Sequence, residues 1–81
     1  MPKPYSAVVL LVSADSNAKR TTTLFFEPLG TDHDLAPGEQ VRVESYMPAS
    51  DPIEVWHTPD SITIYSDSAR AWREDGEELK L

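Results

Sequence analysis

One short span, Glu27, Asp32, His33 and Asp34, brings three carboxylates and an imidazole close together in the sequence. Carboxylate oxygens and an imidazole nitrogen can hold a divalent cation or act as general acid and base. Their spacing matches neither common coordination pattern. A calcium loop needs alternating oxygens, a fixed glycine and a terminal Glu, and a zinc site needs His and thiolates at set intervals. Pro28, Gly30, Pro37 and Gly38 around the set are turn formers. The four residues are therefore expected on an acidic loop between two strands. A metal-binding or hydrolase-like site centred on the 27–34 loop is the alternative.

Other catalytic routes lack their residues. There is no cysteine, which removes thiol nucleophiles and thiolate metal sites. No G-x-S-x-G elbow is present, and Gly30, Gly38 and Gly76 are too far apart to cradle a phosphate. Paired carboxylates could cleave glycosides, but a short β domain offers little cleft to raise the pKa of one of them. The expectation is no enzyme, no catalytic or metal-ligating residue and no cofactor.

Binding has better candidates. In "IEVWHTPDSITIY" the Thr58-Pro59-Asp60-Ser61 turn predicts a hairpin in which Val55 opposes Ile64, Trp56 opposes Thr63 and Glu54 opposes Tyr65. Ile53, Val55, Ile62 and Ile64 then face the core. Trp56 and Tyr65 lie on the other side, one diagonal step apart, as a stacking platform for a sugar or peptide anchor, or as a cross-strand pair that stabilises the sheet. His57 falls at the hairpin end. Trp72 is expected in the core or half-buried.

The elements that position these residues are short and apolar. "AVVLLV" (7–12) suits a strand buried on both faces, and Asp15-Ser16-Asn17 suits the turn leading to a second strand, "TTTLFFE" (21–27). The two read as a hairpin. Val41 and Val43 alternate with Gln40, Arg42 and Glu44, as in a strand with one wet face. "YMPASDP" (46–52) reads as a loop. In the tail, Ser66-Asp67-Ser68 could cap a helix, while Asp75-Gly76 favours two short strands around a turn. Residues 1–81 thus predict a single all-β domain, a small antiparallel β-sandwich or barrel of six to seven short strands.

Charge narrows the partners. Fourteen acids against seven bases give −7, and this field repels nucleic acid and anionic membranes. The apolar run after Lys3 is too short for a secretory signal, and an acid-rich chain without cysteine suits a reducing, cytoplasmic setting.

The segment "LFFEPLGTDHDLAPGEQVRVE" resembles a pattern of small, functionally uncharacterised bacterial all-β proteins: a strand ending in E-P-x-G, then L-x-P-G and an alternating strand. The "IEVWHTPDSITIY" hairpin and the "REDGEEL" end share it more weakly, and Leu29 departs from it where the family often has an aromatic. The resemblance implies a self-standing β domain and no specific activity. In the physical reading of the segment, Leu35 anchors the loop over the core, and Glu27 accepts loop N–H groups.

The functional expectation is a small binding or protein-interaction domain that uses the Trp56/Tyr65 face for a protein or small ligand. A monomer is preferred over a homodimer, provided that the segment with Trp72, Leu79 and Leu81 covers the second apolar face. Otherwise Val9, Leu11 and Phe25 would be buried in a two-fold dimer.

Overall fold

Alternating apolar residues along short extended segments build two layers. A computed structural model describes residues 5–48 and 52–81. It contains β1 (Tyr5–Ser13), β2 (Thr22–Glu27), β3 (Thr31–Leu35), β4 (Gln40–Pro48), β5 (Glu54–Thr58), β6 (Ser61–Tyr65) and β7 (Ala69–Arg73), with no helix among the described residues. Three strands form one sheet in the order β1-β4-β7, and four form the other in the order β3-β2-β6-β5. The all-β expectation holds, with sandwich-like packing rather than a closed barrel. One pair, β2 with β6, is parallel.

The core is the set of inward positions from both sheets. Val12, Val41, Val43 and Ala71 come from the three-stranded sheet, and Leu24, Phe26, Leu35 and Ile64 from the four-stranded one. On β4, Val41 and Val43 are fully buried while Arg42 is exposed, as the alternation requires. Ser45 and Ser66 are buried polar exceptions that satisfy each other, with hydroxyl oxygens 2.6 Å apart. That bond ties the three-stranded sheet to the segment leaving β6.

Three expectations about the elements need correction. β1 and β2 are not a hairpin: β1 pairs with β4 along its whole length, from Tyr5 opposite Pro48 to Ser13 opposite Gln40. Asp15 does make the expected turn, its Oδ1 accepting the Asn17 N–H at 2.9 Å, but that turn carries the chain to the other sheet. Nor is β1 buried on both faces. It is an edge strand with no layer among the described residues over its outer side, where Val9 is 49% and Leu11 64% exposed.

The third correction concerns the acidic loop. Residues 31–35 are a strand, paired with β2 from Phe26 opposite Thr31 to Thr22 opposite Leu35. Pro28, Leu29 and Gly30 make the tight connection, in which the Glu27–Pro28 peptide is cis and Gly30 takes φ +79°. An L-residue rarely adopts that φ, so glycine suits the position. The turn is closed by backbone, the Gly30 N–H donating to the Phe26 carbonyl at 2.9 Å, rather than by the Glu27 carboxylate. Leu35 anchors the far end and is fully buried.

The tail follows the Asp75-Gly76 signal. Gly76 has φ +91°, and the Arg73 N–H donates to the Glu77 carbonyl at 2.8 Å. The returning arm makes an isolated bridge from Trp72 to Glu78 in place of a second strand, then buries Leu79 in the core. Of the expected 46–52 loop, residues 46–48 extend β4, and 49–51 lie outside the described residues, as does the stretch around Lys3.

Candidate functional site

The outward residues of the four-stranded sheet fall into rows. The register sets Asp32, Phe25, Thr63 and Trp56 side by side across β3, β2, β6 and β5. A second row runs Glu27, Tyr65, Glu54, and a third Asp34, Thr23, Ser61, Thr58. The β5–β6 pairing is the one the sequence predicts, so Trp56 and Tyr65 do share this face, at 63% and 42% exposure. Phe25, half-buried, joins them through the parallel β2–β6 pairing. Neighbouring strands are about 4.8 Å apart, so Phe25 and Trp56 lie about 10 Å apart across the sheet.

The face has one sign of charge. β2, β3, β5 and β6 contain no Lys or Arg, and their four carboxylates, Glu27, Asp32, Asp34 and Glu54, all occupy outward positions. The Trp56 indole N–H donates to Glu54 Oε2 at 3.2 Å, which fixes the ring beside a carboxylate. The Thr23 hydroxyl donates to Asp34 Oδ1 at 3.3 Å. An aromatic face next to a carboxylate attracts a cation twice, through the ring quadrupole and through the ionised oxygens.

The Glu27, Asp32, His33, Asp34 set is divided by the strand it lies on. Successive strand residues point to opposite faces, so Asp32 and Asp34 point outward while His33 turns to the core side. There its ring meets Phe26 edge-on, with centroids 6.3 Å apart. His33 Nε2 donates to the Lys80 carbonyl at 2.9 Å, so that nitrogen carries a proton and is committed to the tail. No group of three or more potential ligands converges among the described residues. His57 sits exposed on edge strand β5, opposite Ile62, over a depression of about 340 Å³ shared with Ser13, Ala14 and Thr22.

A second surface, on the three-stranded sheet, is not evident from the sequence. Trp72 is half-buried with Arg42 on one side and Arg70 on the other, their guanidinium carbons 5.7 and 5.0 Å from its ring centroid. Leu11, Gln40, Arg42 and Trp72 line a groove of about 520 Å³. Its cations are already paired: Arg42 with Glu44 at 3.0 Å, Arg70 with Glu78 at 2.9 Å, and Arg73 with both Glu39 and Glu77. Burial pushes the Glu39 carboxyl up, but the Ala36 N–H and the Arg73 guanidinium together outweigh it and hold the group below its ordinary range. The hydrogen bond from Arg70 lowers Glu78 in the same way. This surface is electrostatically self-contained, whereas the four-stranded face is not.

Alternation along "TTTLFFE" places Phe25 and Glu27 on the outward side of β2. The sequence holds no local signal that β2 lies beside β6, so their part in the face was missed. No family model, curated protein or solved structure matches the chain, and its geometry alone carries the functional reading.

Proposed function

We propose that this chain is a small non-catalytic binding domain that uses Trp56 and Tyr65, with Phe25 between β3 and β6, to hold a basic peptide segment of another protein. The carrying observation is the coincidence of three aromatic rings and four carboxylates on one sheet face that has no Lys or Arg. Arg or Lys side chains of the partner would stack on Trp56 and pair with Glu54, and a second would reach Glu27 beside Tyr65. The face is broad and shallow. Small molecules favour concave sites, whereas an extended peptide can lie across flat rows spaced about 4.8 Å apart.

The separation of His33 from Asp32 and Asp34 favours this reading over a metal or hydrolase site on residues 27–34. The resemblance of the Leu24–Glu44 segment to small bacterial all-β proteins suits a self-standing domain of this kind. Its acidity sets it apart from partners of nucleic acid or anionic membrane, and its lack of cysteine fits the cytoplasm. Among the described residues no helix is long and apolar enough to cross a membrane.

The test is a peptide array of matched basic, neutral and acidic sequences probed with wild-type protein and Trp56→Ala. Retention by basic peptides, lost in the variant, is the expected result. Equal retention by all three classes, or none by any, would refute the proposal.

A further inference from the structure

We infer that the chain forms a two-fold dimer by antiparallel pairing of β1 with β1 of a second copy, which joins the two three-stranded sheets into one of six strands. This interface is separate from the peptide face and stands whether or not that face binds as proposed.

The two flanks of the sandwich are closed unequally. On the β3/β7 flank the tail seals the seam. Leu79 is buried, the Lys80 carbonyl accepts from His33, and Arg73 reaches the Asp34 carbonyl and Glu39. On the opposite flank β1 and β5 are both edges, and Ser13, Ala14, His57 and Thr58 line one open depression between them. Inward-facing Val8 and Val55 remain 40% and 47% exposed there. Of the C-terminal apolar residues that in the sequence reading could cover Val9 and Leu11, Leu79 and Leu81 pack in or against the core, while Trp72 shares the outer face with Leu11, two strands away, and leaves it 64% exposed. Phe25 belongs to the other sheet, so it cannot share a patch with Val9 and Leu11.

Among the described residues β1 also lacks the usual protections of an edge. Its sequence, YSAVVLLVS, has no charge and no proline, and it pairs with β4 without a bulge. An edge of this length and apolarity is a template for another strand. β3 and β5, by contrast, are short edges carrying Asp32, Asp34 and Glu54.

The self-complementary pattern of β1 points to a second copy as the occupant. Two molecules of −7 repel, and contact through the carboxylate face would oppose like charges directly. Self-pairing of β1 about Leu10 brings residues 7–13 of each copy together, all of them uncharged. With Val9 opposite Leu11 of the second copy, Val8 falls opposite Val12 of that copy, so outward residues meet outward and inward meet inward. A two-fold axis through Leu10 generates both halves, an isologous contact that closes and does not propagate.

Analytical ultracentrifugation over a dilution series, with amide hydrogen exchange at each end of it, tests the proposal. The wild type should sediment as a dimer that dissociates on dilution, and added salt should strengthen it by screening the net charge. In the dimer, alternate β1 amides that face away from β4 should gain protection. Val9→Lys and Leu11→Lys alter exposed side chains, and each should give a monomer with an unchanged β spectrum. A wild-type monomer at every concentration would overturn the inference, as would a dimer without added β1 protection or one that both variants preserve.

Discussion

Trp56 is the residue on which the functional reading turns. It is the most exposed large aromatic on a face of uncompensated carboxylates, and its hydrogen bond to Glu54 orients it without burying it. Its removal should leave stability within about 0.5 kcal/mol, as for other surface positions, while weakening basic-peptide binding by about 2 kcal/mol. Thermal unfolding and peptide titration of Trp56→Ala read the two effects separately. Arg73 has the opposite profile. It is largely covered and donates to Glu39, Glu77 and the Asp34 carbonyl, which links the β7 end to the β3 edge. Arg73→Ala should cost about 1.5–3 kcal/mol in chemical denaturation, the range for hydrogen bonds to charged groups. Because the folded Glu39 carboxyl titrates below its ordinary 4.5, its contribution is complete above that pH and is lost as pH falls through the folded value. The unfolding midpoint should therefore drop on acidification below about pH 4.5, and less steeply in Glu39→Gln.

Among the elements, those set by local signals were legible and those set by distant partners were not. The β5–β6 register follows from a four-residue turn and short-range alternation, so Trp56 and Tyr65 were placed correctly from sequence. The Asp75-Gly76 turn was legible for the same reason. β3 was hidden because "TDHDL" carries one strongly apolar residue, Leu35, and its Asp residues disfavour strands; pairing with β2 overrides that preference. β1 invited pairing with the next segment along the chain, yet its partner is β4, much further away in sequence. The parallel placement of β2 beside β6 was equally non-local, which is why Phe25 and Glu27 were missed from the face. The two sheets are joined between β4 and the turn after β6 by the Ser45–Ser66 pair. Ser66 also donates to the Ser68 carbonyl at 3.0 Å, so Ser45 is the donor to Ser66. Ser66→Ala strands the buried Ser45 hydroxyl and should cost about 1–3 kcal/mol, whereas Ser45→Ala leaves the Ser66 bond intact and should cost less. Denaturant midpoints of the two variants would settle the order; the reverse order contradicts this hydrogen-bond direction.

At the scale of the whole molecule, charge is arranged by sheet. Arg42, Arg70 and Arg73 are engaged with carboxylates on or beside the three-stranded sheet, and the four-stranded sheet has no base of its own. Four carboxylates with no base among their strands thus share one face, and the edge strand that is free to pair is neutral. Added salt should raise the melting temperature and weaken capture of a basic peptide, because screening relieves repulsion within the fold and attraction to the ligand alike. The most direct measurement is a backbone and indole amide shift map during titration with a peptide rich in Arg and Lys. The account predicts shifts confined to β2, β5, β6 and the facing residues of β3, with the Trp56 indole moving most and the Trp72 indole unmoved. Shifts centred on Trp72 and Arg42, or no shifts at all, would contradict it.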